Sequence, residues 1–234
     1  MSSGSGTEKV GTVDAYYIET VDVEAAASQP PQTVHRYERT FGNPTPVGML
    51  SYATVILCSS LLTLHAGSVY TPNLVLLFAT FYGGITQTLV GSMEMFLGSV
   101  FLTFGSFNFS YGALYLPSIG IAAAYSVDGV PTEEYYHALG LFLSVWSFVT
   151  FIFTIGALRT TLPIVGTLGC TVLALSCLAA NAFTGIESLA TAGGALGICC
   201  AFGTYYGGLS MLWTKQTTFP FIKLPPLLLS PSHT

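Results

Sequence analysis

The chain has 234 residues, 51% of them hydrophobic and only 7% charged, where a soluble domain averages about 25% charged. Six Lys/Arg and eleven Asp/Glu give a net charge of −5, and the mean hydropathy is +0.65. That leaves too little polar surface for a water-soluble enzyme, and six basic residues cannot build a phosphate-tracking surface for nucleic acid. From Gly42 to Thr214 the only formal charges are Glu94, Asp128, Glu133, Glu134, Arg159 and Glu187; the rest lie in the two tails. This partition is that of an all-α, polytopic membrane protein.

Residues 1–40 read as a disordered cytoplasmic tail, Gly/Ser-rich at first, then acidic, with Pro30-Pro31 near its end. A basic region followed by an apolar stretch is missing there, so no signal peptide is expected. Residues 41–215 form the membrane domain. A spanning helix needs about 20 apolar residues, and the turn signals divide the domain into six such stretches: 47–65, 73–97, 101–125, 135–158, 162–183 and 188–213. Thr71-Pro72-Asn73 and Val127-Asp128-Gly129-Val130-Pro131 are turn chemistry. Arg159-Thr160-Thr161 closes one helix, and Pro163 sits in the tolerated first turn of the next. Asn108, Ser110, Pro117 and Ser118 interrupt the third stretch. Residues 216–234 form a proline-rich, irregular cytoplasmic tail.

With six spans, Lys9, Arg36, Arg39, Arg159, Lys215 and Lys223 all fall on one side, which the positive-inside rule makes the cytoplasm. The opposite loops carry Asp128, Glu133, Glu134 and Glu187. Cys58, Cys170, Cys177, Cys199 and Cys200 all fall within spans and read as small buried apolar residues. His65 and His137 read as interfacial, and neither a metal-ligand cluster nor a cofactor motif is present.

Polar groups at bilayer depth are costly and face a cavity or a partner. Glu94 is the one ionisable residue well inside a predicted span. Gln87 precedes it by seven residues, and Gly84, Gly91 and Gly98 repeat at the same interval, placing all five on one helical stripe. The glycines admit a neighbouring helix, and Gln87 and Glu94 offer either interhelical hydrogen bonds or a solute-coordinating, proton-accepting lining. Asn108, Tyr111 and Tyr115 share a face of the third span. Gly193/Gly197 and Gly203/Gly207 are GxxxG pairs suited to close contacts within or between subunits. Asn43-Pro44-Thr45-Pro46-Val47-Gly48 opens the first span, with Asn43 placed to cap it.

That opening resembles the NPAPLG signature of the acetate uptake transporter family, the succinate–acetate permease group with its fungal ammonia/acetate relatives. The resemblance continues through Phe81-Tyr82-Gly83-Gly84, Gln87, Gly91 and Glu94, then Ser110-Tyr111-Gly112, Trp146, Gly156-Ala157-Leu158-Arg159-Thr160 and Ala192-Gly193-Gly194. It covers residues 41–226. It implies a six-helix protomer with both termini in the cytoplasm, a fold similar to proton-gated urea channels, and a homo-hexameric ring in the plasma membrane with one path per protomer. The implied cargo is acetate or a related small carboxylate, moved with a proton. The same resemblance puts Tyr52 and Tyr111 at the first and second constriction positions, the third at Cys170 or Thr171, and Gln87 at a polar position used in transport. It makes Asn43, Pro44, Pro46 and Gly48 the entrance motif. Departures are Thr45 for Ala, Val47 for Leu, Tyr52 for Phe, and Tyr205 for Trp.

No Lys or Arg lies within a predicted span, so a bare carboxylate at the midplane would go unpaired at a cost of several kcal/mol. The expected solution is a neutral acid, or an anion met by dipoles from Gln87, Asn108 and the tyrosine hydroxyls, with Glu94 exchanging the proton. The alternatives are a path for a small neutral solute such as ammonia or urea, and a non-transporting membrane sensor acting through its tails.

Overall fold

The structure is a computed structural model, and it describes residues 42–94, 99–213, 217–219, 221, 222 and 224–229. The N-terminal tail, Gly98, Lys215 and Lys223 lie outside the described residues, and with them most of the cations that set the expected orientation.

Helix α1 runs Thr45–Thr63, and Leu74–Met93 is one helix, α2, whose stretch Phe78–Gly84 is wound as π-helix. Next come α3 (Ser99–Ala113), the short α4 (Ile121–Ala124), α5 (Glu133–Gly156), α6 (Leu162–Thr184) and α7 (Glu187–Leu212). Helices α1, α2, α5, α6 and α7 are each long and apolar enough to cross a membrane, with mean hydropathy between 1.3 and 2.1. The third predicted stretch is shorter than expected. At 15 residues α3 reaches about 22 Å, against a hydrocarbon core of about 30 Å. It stops because Pro117 offers no N–H and Gly120 takes φ +72°, a left-handed turn. The second stretch also ends early, at Met93, so Glu94 caps the helix rather than lying inside it.

Local chemistry sets the other boundaries. Asn43 Oδ1 accepts from the N–H of Thr45 at 3.0 Å, an Asx turn leading into α1. Asp128 and Gly129, both at positive φ, make the two-residue turn of a hairpin pairing Ser126–Val127 with Val130–Pro131. Thr161 caps α6 by accepting from Ile164 N at 3.4 Å. Removing that cap with Thr161→Ala is expected to cost about 1 kcal/mol, read as a lower melting temperature of the detergent-purified protein. Residues 224–229 do not trail away: Leu162 N donates to Leu227 O at 2.7 Å, Leu229 N to Thr160 O at 3.0 Å, and Tyr206 Oη to Pro225 O at 2.9 Å.

The helices close on one another in the order α2, α1, α7, α6, α5, α3. Small residues permit this. A Cβ at Gly193 would meet Leu178, at Gly194 Leu64, and at Gly207 Met49, while Gly197 is pressed against Ser60, so the GxxxG faces are used inside the protomer. Between α2 and α3, a Cβ at Gly91 would meet Leu102 N at 2.5 Å and one at Gly84 would meet the Phe109 ring at 2.8 Å. The outward face of α5 exposes Leu141, Val145, Phe148, Ile152 and Ile155 at helical spacing. Lipid, not water, is the solvent that such a face fits.

Candidate functional site

Two cavities lie inside the ring of helices. One, about 620 Å³, opens beside the α1 N-terminus and the α5–α6 turn, among Thr45, Glu94, Phe101, Phe153, Thr160 and Thr204. The second, about 80 Å³, lies toward the other end of the bundle, among Ser59, Ser60, Thr63, Asn108, Tyr111 and Gly194. It exceeds several-fold the roughly 10–15 Å³ that one water needs. Tyr52 and Phe104 border both cavities, their rings edge to face at 5.2 Å. They form the neck between vestibule and inner cavity.

The Tyr52 hydroxyl lies 2.6 Å from Thr171 Oγ1. Thr171 donates to Thr167 O at 2.8 Å, and so accepts from Tyr52. Cys200 Sγ joins at 3.1 Å from Thr171 Oγ1, and Thr204 donates to Thr167 Oγ1 at 3.2 Å. Of the two residues left open by the sequence, Thr171 faces Tyr52, while Cys170 lies in a groove with Cys199 on the outer side of α6 and α7. Phe104, Thr167, Cys200 and Thr204 were not singled out from sequence, although Thr167/Thr171 and Cys200/Thr204 each stand at i, i+4 on one helical face.

Asn108 lines the inner cavity and Gln87 stands behind it, fully buried. Asn108 Nδ2 donates to Gln87 Oε1 at 3.4 Å, and Gln87 Nε2 has no partner among the described residues. Tyr111 lines the same cavity, stacked on Phe107 at 5.6 Å, and accepts from Tyr115 Oη at 3.4 Å. Thr45 Oγ1 donates to Glu94 Oε1, tying the α1 N-terminus to the end of α2 at the vestibule wall. Pro46 and Gly48 are buried in the first turns of α1, where a Cβ at Gly48 would strike Phe101 and Val90. Tyr205 bridges α7 to α1 through Thr54 Oγ1 at 2.7 Å. Among the described residues Glu94 is the only charged side chain on either cavity, and no Lys, Arg or His joins it.

Residues 25–230 match the GPR1/FUN34/yaaH family. The chain belongs to this family. Among curated relatives, it is 30% identical over 194 residues to Ammonia transport outward protein 2 of Saccharomyces cerevisiae, covering 81% of this chain and 66% of that protein. The match to the Glyoxylate pathway regulator of Yarrowia lipolytica is 31% over 198 residues, covering 79% and 72%. That to Acetate permease A of Emericella nidulans is 26% over 206 residues, covering 83% and 69%. The chain thus spans about two thirds of the length of these relatives. The structure titled the bacterial acetate channel SatP superposes with a TM-score of 0.60 at 21% identity, covering 77% of this chain and 98% of that one, and so shares its fold. The family assignment and the apolar helices make this a multi-pass membrane protein.

Proposed function

We propose that this chain is a membrane channel or transporter for acetate and related short-chain monocarboxylates, moved together with a proton. The observation that carries the reading is the neck: two cavities inside one protomer share Tyr52 and Phe104 in their lining, among hydroxyls and amides and with no cation among the described residues. Relatives named acetate permease and acetate transporter support the cargo. Without a counter-charge, the neutral acid is the form that passes the neck at least cost. Tyr52, Thr171 and Tyr111 narrow the path, Asn108 backed by Gln87 offers an amide to the carboxyl group, and Glu94 exchanges the proton in the vestibule. Asn43, Pro44, Pro46 and Gly48 shape the entrance by fixing how α1 begins.

The protomer is read as six crossings, with α3 and the turns after it completing the third, in a fold like that of proton-gated urea channels. Residues 1–40 and 216–234 are cytoplasmic tails. The vestibule, beside Arg159, faces the cytoplasm, and the ends bearing Glu133 and Glu187 face outward. Six copies form a ring in the plasma membrane.

Purified protein in liposomes tests this. Labelled acetate uptake, corrected for protein-free liposomes, is expected to saturate and to be displaced by propionate but not by urea. A protein-dependent urea flux that acetate leaves untouched would replace the reading with a neutral-solute path.

A further inference from the structure

After α7 the chain doubles back along the bundle. Thr217 Oγ1 donates to Leu212 O at 2.8 Å, where the helix ends. Tyr206 Oη then donates to Pro225 O at 2.9 Å, and Tyr206 stands six residues before Leu212, about 9 Å back along the helix axis. Leu227 O accepts from Leu162 N in the first turn of α6, and Leu229 N donates to Thr160 O. The Leu227 side chain lines a groove of about 310 Å³ on the outer wall of α6 and α7, together with Pro163, Cys170 and Cys199. Cys170 and Cys199 both lie well inside their membrane-spanning helices.

What this returning segment shows to its surroundings is apolar. Phe219 and Phe221 are 70% and 81% exposed with their rings stacked at 5.6 Å, and Leu228 and Leu229 are exposed as well. Its backbone asks little of water. Pro220, Pro225 and Pro226 carry no N–H, and the N–H groups of Ile222, Leu228 and Leu229 are already bonded. From these observations we infer that the C-terminal segment is a membrane anchor, which lies on the bilayer and sets Phe219, Phe221 and Leu228 into the boundary between headgroups and acyl chains. Aromatic and leucine side chains are the ones that bind at that depth. The partner is a phospholipid surface, because the segment continues the lipid-facing wall of the bundle: Leu227 shares its groove with residues from inside two spans. In the orientation proposed above it rests on the cytoplasmic leaflet. Thr160 also borders the vestibule, so the anchor ties the wide end of the path to the level of the bilayer surface.

The full-length protein in phosphatidylcholine vesicles tests this by photocrosslinking. The variants are Phe221→p-benzoylphenylalanine, Leu228→p-benzoylphenylalanine and, as the control in the exposed hairpin turn, Asp128→p-benzoylphenylalanine. Irradiation is expected to give phospholipid adducts, read by mass spectrometry, at 221 and 228 and markedly fewer at 128. Melting temperatures identify a variant that fails to fold, and positions 221 and 228 each report alone. Adducts no more frequent at these positions than at 128 would overturn the anchor and leave the segment in water. A product with the mass of two chains in place of the lipid adduct would overturn it too, making the segment a contact between copies. None of these outcomes depends on whether the path carries acetate.

Discussion

Glu94→Gln is expected to make acetate uptake indifferent to a pH gradient. Thr45 Oγ1 donates to Glu94 Oε1, and a glutamine carbonyl oxygen accepts the same hydrogen bond, so the clasp between α1 and α2 survives the change. What disappears is the one group on either cavity, among the described residues, that can gain and lose a proton and also carries charge. If the proton passes through that carboxyl, the protein-dependent initial rate in the wild type rises as the side of uptake is acidified. For a single titrating group the rise is at most about tenfold per pH unit. The sign follows from proton and acetate moving together: acidifying the side of uptake raises the proton's driving force in the direction of uptake. In Glu94→Gln liposomes the rates with the gradient and with the gradient collapsed by an ionophore should coincide. A variant that keeps the wild-type gradient dependence would reduce Glu94 to a fastening between two helix ends.

Why Glu94 reads in sequence as a membrane-buried acid, and stands in the structure at a vestibule wall, is a matter of helix length. Hydropathy continues through Met95-Phe96-Leu97, so the second stretch runs on by composition, whereas the helix ends at Met93. The same limit applies to α3, where Leu114, Leu116 and Ile119 sustain the apolar signal past Ala113 while the backbone turns at Pro117 and Gly120. Boundaries set by local chemistry were legible: the Asp128-Gly129 turn, the Thr161 cap with Pro163 behind it, and the Asn43 turn before α1 each need only residues a few positions apart. The neck is another matter. Tyr52 and Phe104 stand on different helices, and Thr171 comes from a third helix, with Cys200 of α7 3.1 Å from its hydroxyl. Residues 170 and 171 are separated by about 100° around a helix, so a one-residue ambiguity in register exchanges the inner wall for the outer groove. No local pattern says which of the two faces Tyr52; in the packed helices it is Thr171. The glycines are an intermediate case. Their intervals announce a close helix approach, and only the structure says that Gly197 meets Ser60 and Gly91 meets Leu102.

Gly91→Ala is expected to destabilise the fold, the clash alone costing about 1–3 kcal/mol, although alanine is the better helix former. Intrinsic propensity favours alanine by about 0.5–1 kcal/mol in a helix interior. Against this stands the contact: the new Cβ lies 2.5 Å from Leu102 N and 2.8 Å from Leu102 Cα. These are backbone atoms, and no rotamer change relieves them; α2 and α3 must move apart. Moving them apart strains the hydrogen bond from Asn108 Nδ2 to Gln87 Oε1, already 3.4 Å long, and Gln87 is fully buried with its Nε2 unpartnered. Losing it leaves the Gln87 amide without any partner, which adds a further penalty of about 1–3 kcal/mol. Gly84→Ala provides the comparison on the same seam. There the obstacle is the Phe109 ring at 2.8 Å, a side chain that can swing away, and Phe109 is already exposed at the surface of α3. Thermal denaturation in detergent should therefore rank wild type above Gly84→Ala and Gly84→Ala above Gly91→Ala. Equal melting temperatures for the wild type and Gly91→Ala would mean that α2 and α3 do not pack backbone to backbone, and that the wall behind Asn108 is looser than its buried amides require.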